Sequence, residues 1–204
     1  MRSRARWISR ARRLSERWPP RAVLDSDVIF SRVLYELLGR LALQQRLLTL
    51  IWSDELLAEA ERVLTERKPL PASVAAQWVG YLRGAFPHER VDLGTAPADV
   101  ELSSLTRDSD DEHICALAVA GGADLLLTFD SGYVHDQLRG HGVVVLDPDT
   151  YLTALLAQEP DAVLASVTAT ARVWGGGRSV GELTEALARA RAEQFSERLR
   201  VAGP

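Results

Sequence analysis

The segment Arg107-Asp108-Ser109-Asp110-Asp111-Glu112-His113 constrains this chain more than any other. It places four carboxylates within positions 108–112, directly ahead of the apolar run Ile114-Cys115-Ala116-Leu117-Ala118. Ser109 and Glu112 have the spacing of a capping box, so Ser109 is expected as N-cap with Glu112 at the third helical position. Asp110 and Asp111 then fall in the first turn, where the helix dipole favours negative charge. Ile114, Cys115, Leu117, Ala118 and Val119 form the expected apolar face, and Gly121-Gly122 end the helix. An acid-rich helix start is ordinary by itself. The next segment is less ordinary: Ala123-Asp124-Leu125-Leu126-Leu127-Thr128 reads as a short buried strand, and Asp130 lies just past its end. A helix start and a strand end that both carry Asp can converge on one place.

The 204 residues suffice for one domain with appendages. Apolar residues make up 47% and charged residues 25%, a balance that supports a proper core. Apolar runs are strand-sized and cut by charge or glycine, so no membrane span is expected. The lone cysteine, Cys115, sits on the expected apolar face and reads as core packing, in keeping with a reducing cytoplasm. The net charge of −4 argues against a general nucleic-acid coat, though not against a nuclease whose own carboxylates lower the count.

Residues 1–20 hold Arg2, Arg4, Arg6, Arg10, Arg12, Arg13 and Arg17 against Glu16 alone, closed by Pro19-Pro20. This basic arm could touch nucleic acid. The simpler readings are a short surface helix or an extension upstream of the true start. It lacks the apolar stretch of a secretory signal.

Ala22-Val23-Leu24 opens the fold as a strand, and Asp25-Ser26-Asp27 comes directly after it. An Asp after a strand lies at the carboxyl edge of an α/β sheet, where such folds bind ligands. The pattern predicts a helix over 28–45, a second apolar run over Leu47 to Trp52, and a helix capped by Ser53 that reaches about Arg67. Glu59 lies at the border of that helix's apolar face, and helix physics alone does not single it out. Further expectations are a helix over 72–85, a short strand at Val91-Asp92-Leu93, and a buried strand at Val143-Val144-Val145-Leu146. Alternating strands and helices imply a parallel sheet covered on both faces. From Pro148 onward only helices are predicted: one capped by Asp149 or Thr150, one over 161–173, and one from the Ser179–Glu182 capping box to about Leu199.

The acids that end strands or start helices are Asp25, Asp111 and Asp130, with Glu59 a candidate fourth. Clustered carboxylates with no adjacent Lys or Arg cannot all stay ionised unless a cation joins them. Oxygen-only ligands suit Mg²⁺ or Mn²⁺. No zinc spacing is present, because His88, His113, His135 and His141 are scattered. One or two such cations can activate water and stabilise a phosphodiester under in-line attack. The residues therefore point to metal-dependent phosphoryl transfer or hydrolysis.

Four segments, taken in order, resemble the acidic motifs of PIN-domain ribonucleases. They are Val23-Leu24-Asp25-Ser26-Asp27-Val28-Ile29, Trp52-Ser53-Asp54-Glu55-Leu56-Leu57-Ala58-Glu59, Asp108-Ser109-Asp110-Asp111-Glu112-His113 and Leu127-Thr128-Phe129-Asp130. The start of the second is similar to a bacterial subfamily with a helical C-terminal extension. The resemblance implies a three-layer α/β sandwich, a central parallel sheet flanked by helices, over residues 21–150, with a helical extension over 151–204. It implies that Asp25, Glu59, Asp111 and Asp130 are catalytic and hold one or two Mg²⁺ or Mn²⁺ ions, supported by Asp27, Thr128 and Asp108. Two departures stand out: Asp27 where the family usually has Asn, and Gly132 where it often has a further Asp. The first adds charge, and the second leaves the number of metal ions open. The resemblance further implies RNA as substrate, and a cytoplasmic toxin of the VapBC type, blocked by a small antitoxin and capable of forming a homodimer.

Two other readings compete. A haloacid-dehalogenase-like phosphatase would use Asp25-Ser26-Asp27 as nucleophile and acid. Its catalytic lysine could only be Lys68, the chain's single lysine, beside the helix-breaking Pro69. Leu102-Ser103-Ser104-Leu105 is also a poor strand to carry its Mg²⁺ motif, and Glu59 and Asp130 would go unused. The other reading is a catalytically inactive PIN-like scaffold that binds RNA or protein. The presence of all four acids argues against it.

Overall fold

The structure, a computed structural model, describes residues 18–68 and 70–203. Most of the expected basic arm, residues 1–17, lies outside the described residues. Four short strands form a parallel sheet: β1 (Arg21–Leu24), β2 (Thr49–Ile51), β3 (Leu125–Leu127) and β4 (Val144–Leu146), in the order β2-β1-β3-β4. The sheet is flanked by helices, as the alternating pattern implies. The central strands are continuous apolar runs, and Ala22, Val23, Leu24 and Leu125 to Leu127 are all buried. That is the composition expected of a parallel sheet covered on both faces. β1 pairs with β3 in the register Leu24↔Leu127. β1 connects outward to β2 on one side and adjoins β3 on the other, so the strand order reverses between β1 and β3.

The chain resolves into two compact units. One comprises Pro20–Phe30 and Thr49–Leu146 and contains the sheet. The other comprises Ser31–Leu48 and the C-terminal residues from Asp147 on.

In the sheet unit, α1 (Ser26–Phe30) starts directly after β1, because the Asp25 carbonyl accepts from the Val28 and Ile29 amides. The helix expected over 28–45 is interrupted: Ser31 is extended (φ −80°, ψ 94°), and α2 (Arg32–Leu43) begins after it. Ser carries little intrinsic helix preference, and its side chain makes no capping bond to the helix that begins after it. The orphan carbonyls that end α1 are met by side chains. Trp78 Nε1 donates to the Ile29 carbonyl at 3.2 Å, and Lys68 Nζ donates to the Phe30 carbonyl at 2.7 Å. The Lys68 ammonium also lies 4.0 Å from the Phe30 ring centre and 4.8 Å from that of Trp78, favourable cation–π geometry.

α3 (Asp54–Arg67) starts as predicted. The Ser53 hydroxyl accepts from the Leu56 amide, and Leu56, Leu57, Ala60, Val63 and Leu64 are buried. α4 (Ala72–Ala85) buries Ala75, Val79 and Leu82. The strand expected at Val91–Leu93 is not formed: the chain makes one bridge, Trp52↔Arg90, and then a 3₁₀ turn over Leu93–Thr95 capped by Asp92.

The acidic segment differs from expectation in a small but informative way. Asp108, not Ser109, is the N-cap; its side chain accepts from the Asp110 amide and starts a 3₁₀ turn over Ser109–Asp111. α5 (Glu112–Ala120) continues from that turn. Its C-terminus closes as the sequence implies. Gly122 adopts φ +56°, and the Ala123 amide reaches back to the Ala118 carbonyl at 2.8 Å, the 6→1 bond of a Schellman motif. Gly121 is needed for space, since a Cβ there would lie 2.5 Å from Ile51 Cδ1. α6 (His135–Gly140) leads into β4.

In the second unit, α7 (Pro148–Gln158) is capped by Asp147, which accepts from the Thr150 amide. Neither Asp149 nor Thr150, the two expected caps, fills that place, and Asp149 serves another helix. It is buried and accepts from the Gln194 and Phe195 amides at 3.1 and 2.7 Å, so it caps α10 (Glu193–Ala202). α8 (Pro160–Val173) and the capping box of α9 (Val180–Arg189) are as predicted. The single helix expected from Ser179 to Leu199 is two. Arg191 turns to φ +66°, the Ala192 amide bonds the Leu187 carbonyl, and the turn lets Leu183, Leu187, Phe195 and Leu199 all be buried. No helix among the described residues is long and apolar enough to cross a membrane.

Candidate active site

The predicted site residues all belong to the sheet unit, and most of their contacts arise from the β1–β3 pairing. The Asp25 amide extends the ladder by donating to the Leu127 carbonyl at 3.0 Å. One residue beyond the paired Leu24 and Leu127, Asp25 meets Thr128, whose hydroxyl donates to Asp25 Oδ2 at 2.7 Å. The same oxygen accepts from the Tyr133 hydroxyl at 3.0 Å, and Oδ1 accepts from the Ser26 amide at 2.6 Å. Asp27 Oδ2 accepts from the Phe129 amide, which tightens the join between α1 and the end of β3. Next along the chain, the Asp130 amide donates to the Thr128 hydroxyl at 2.8 Å, and the Asp130 carboxylate accepts from the Gly132 amide. These residues lie at the carboxyl ends of β1 and β3, where the strand order reverses, the usual ligand position in open α/β sheets.

Glu59 comes from the middle of α3 and is held on both oxygens. Ser26 Oγ donates to Oε1 at 2.9 Å, and His113 Nε2 stands 2.9 Å from Oε2. The other ring nitrogen of His113 lies 2.7 Å from the Asp110 carbonyl, so both nitrogens face acceptors. That arrangement suits the imidazolium, which donates from both. Burial alone would lower the His113 pKa, but the Glu59 carboxylate and the Asp110 carbonyl outweigh it and raise it. Burial likewise pushes Glu59 up, yet the bonds from His113 and Ser26 prevail and hold it below its usual value. By strict hydrogen-bond angles the Glu59–His113 contact falls short, although its 2.9 Å separation is that of an ion pair. With both groups only about a fifth exposed, the charge attraction decides, and the contact is best described as an ion pair.

The remaining carboxylates repel one another. Burial, then the charges of Asp25, Asp130, Asp108 and Glu59, push Asp111 up to about 7. Asp25, 4% exposed, is also raised, because burial outweighs its three hydrogen bonds. Asp111 Oδ2 is shielded from solvent and has no hydrogen-bond partner among the described residues. The site grades outward from buried Asp25, through half-buried Glu59 and Asp111, to exposed Asp130.

The structure brings together Asp25, Asp27, Glu59, Thr128 and Asp130 by direct bonds or shared neighbours, and Asp111 by the field of its neighbours. Asp108 takes a different part from its acidic companions: it caps the turn that delivers Asp111. Three groups are absent from the sequence prediction: Ser26, His113 and Tyr133. Ser26 lies inside a recognised motif, but its partner is 33 residues away. His113 also lies inside a recognised motif, with its partner Glu59 far away in the chain, and Tyr133 carries no local spacing that marks it.

An all-oxygen set containing a shielded, partnerless carboxylate oxygen fits a hard divalent cation. As placed, however, no group of three or more His, Cys, Asp or Glu side chains among the described residues closes into a metal-binding cluster. The phosphatase alternative loses its lysine here, since Lys68 is spent on the Phe30 carbonyl and two aromatic rings. Cys115 is fully buried, with its thiol pushed up to about 12 by burial and by the nearby acids, so it is a packing residue.

No curated protein and no solved structure matches the chain. A family model described as PIN domain matches residues 21–132, which contain every acid of the site. PIN domains are generally nucleases that use divalent metal ions on nucleic-acid substrates. With more than half of its length matched, and with the parallel sheet and helices expected of that fold, this chain belongs to the PIN-domain family.

Proposed function

We propose that this chain is a metal-dependent endoribonuclease in which Asp25, Glu59, Asp111 and Asp130 hold one or two Mg²⁺ or Mn²⁺ ions. The observation that carries the reading is Asp111: a half-buried carboxylate with a shielded, partnerless oxygen among four other acids. A divalent ion bound there would offset that repulsion, polarise the scissile phosphate and lower the pKa of an attacking water. The protein's own part is orientation. Thr128, Tyr133 and the Ser26 amide fix Asp25; Ser26 and His113 fix Glu59; Asp108 shapes the turn that presents Asp111. Asp130 is exposed and would complete the carboxylate set that holds the cation on the solvent side. His113 serves to orient Glu59, through its charge contact with Oε2 and its bond with the Asp110 carbonyl.

The motif resemblance suggests a finer reading: a cytoplasmic toxin of a type II pair, held inactive by a small antitoxin and able to form a homodimer. Co-purification with the product of an adjacent gene, and the mass of the purified chain in solution, test those parts.

The deciding experiment incubates the purified protein with a mixed RNA pool, with single-stranded DNA and with a generic phosphatase substrate, each in Mg²⁺, Mn²⁺ or EDTA. Metal-dependent RNA cleavage, lost in Asp25→Asn and in Asp111→Asn while the circular dichroism spectrum stays native, is the expected result. Cleavage retained in both variants would remove the site assignment. Phosphate release without RNA cleavage would overturn the nuclease.

A further inference from the structure

Tyr133 is the least expected member of the site. It lies three residues beyond Asp130, in a segment that folds back on the approach to the acidic turn. The Val134 amide donates to the Leu105 carbonyl at 2.8 Å, the Arg107 amide donates to the Gly132 carbonyl at 3.0 Å, and Thr106 bridges Tyr133 between them. This antiparallel clip fixes the Tyr133 backbone, and the ring is 2% exposed. A phenol buried that deeply needs a partner for its hydroxyl, and the partner is Asp25 Oδ2 at 3.0 Å. Asp25 Oδ2 is a carboxylate oxygen and can only accept, so the phenol is the donor.

The second donor on that oxygen is Thr128. Its hydroxyl accepts from the Asp130 amide, which directs its proton toward Asp25. A carboxylate oxygen offers about two lone-pair directions. Two O–H donors therefore use up Oδ2. Among the described residues, Oδ1 accepts only the Ser26 amide, which leaves one direction open. The carboxylate is thus locked against rotation and asymmetric, with one closed oxygen and one half-open one.

We propose that Tyr133 is a positioning residue of the nuclease site, which together with Thr128 closes Asp25 Oδ2 so that Asp25 meets a divalent cation through Oδ1 alone. The inference rests on the reading of Asp25 as a metal ligand. A one-oxygen carboxylate suits the compact octahedral shell of Mg²⁺ or Mn²⁺, whereas Ca²⁺ readily takes both oxygens. Tyr133 thereby contributes to the choice of metal as well as to its affinity.

The test is Tyr133→Phe, which keeps the ring and its packing and removes only the hydroxyl. Mn²⁺ binding is followed by electron paramagnetic resonance of the free ion, with Mg²⁺ and Ca²⁺ as competitors and with no substrate present. The expected result is a Mn²⁺ affinity roughly 10-fold weaker, the lower end for outer-shell partners, and a narrower preference for Mg²⁺ over Ca²⁺. Thr128→Val shifts both readouts the same way and carries the test if Tyr133→Phe loses its native spectrum. A folded Tyr133→Phe that binds Mn²⁺ within twofold of wild type overturns the proposal. So does weakened binding with an unchanged Mg²⁺/Ca²⁺ ratio, which would leave Oδ2 without the assigned role. Asp25→Asn separates the two levels. If it abolishes Mn²⁺ binding while Tyr133→Phe does not weaken it, only the positioning role falls. If it changes nothing, or if wild type binds no Mn²⁺, the metal reading falls and the positioning role falls with it.

Discussion

Replacing Asp111 by Asn is expected to stabilise the metal-free protein while abolishing its activity. Asp111 is raised from its usual 3.8 to about 7 by burial and by four neighbouring carboxylates. At 1.36 kcal/mol per pH unit, that corresponds to ~4 kcal/mol between the two protonation states. The side chain is partly exposed, and solvent screening roughly halves the figure, to ~2 kcal/mol. The sign comes from linkage. A carboxyl with a raised folded-state pKa favours the folded state while it is protonated. That contribution is intact below the unfolded pKa and is lost as pH rises from about 4 to about 7. Above that window the ionised side chain is a burden which the neutral amide does not carry. Asn also sacrifices no cap, because Asp111 makes no side-chain capping bond at the start of α5.

In EDTA at pH 8, Asp111→Asn should therefore melt higher than wild type by about 4–8 °C, taking ~2 kcal/mol and the melting response of a chain of this size. Near pH 4.5 the two should nearly coincide. Saturating Mn²⁺ should reverse the order, since ligand at about 100 times its Kd adds ~2.7 kcal/mol to a chain that binds it and little to one that does not. The assay is a thermal melt across pH with and without metal, followed by circular dichroism. A metal-free Asp111→Asn that is less stable than wild type at pH 8, or a difference that ignores pH, would refute the claim that the acids hold Asp111 under electrostatic strain.

Two further outcomes concern residues outside the chemistry. Cys115 should resist iodoacetamide in the native chain at pH 8, where a thiol with a pKa of about 12 is almost wholly protonated, and should take up one equivalent once guanidinium unfolds it; rapid labelling of native protein would contradict its place in the core. Asp149→Ala removes both amide caps from α10 and should cost about 1–3 kcal/mol of stability, read as a lower denaturation midpoint, whereas an unchanged midpoint would show that solvent satisfies those amides equally well.

The sequence made some of this legible because local patterns are local physics. Buried parallel strands read as apolar runs, Ser53 and Ser179 read as caps, and Gly121-Gly122 read as a helix end, since each signal lies within a few residues of its effect. The failures have an equally definite cause. Between Asp108 and Ser109 the sequence offers two competent caps one position apart. The Thr106 hydroxyl accepts from the Asp108 amide, which holds Asp108 in the extended conformation of a cap, and the 3₁₀ turn starts from there. The breaks at Ser31 and Arg191 carry no glycine or proline, so no residue at either position marks them in the sequence. His113 and Tyr133 escaped notice for another reason. Each acts on a carboxylate 54 or 108 residues distant in the chain, and only the fold makes them neighbours.

Why the acids meet at all comes down to register. Every strand here is three or four residues long, so the sheet has little length over which to average an error. With Leu24 opposite Leu127, the first residues past the two strands are Asp25 and Thr128, and the hydroxyl falls on the carboxylate. A slip of one residue would put Leu127 or Phe129 in place of Thr128 and would turn the strand's side chains to the opposite face. The same apolar residues that bury the sheet thus fix which polar atoms touch at its edge. Core substitutions at Leu24 or Leu127 that shift the pairing should therefore disturb Asp25 as surely as replacing Tyr133, although neither leucine bears any group that could take part in the chemistry.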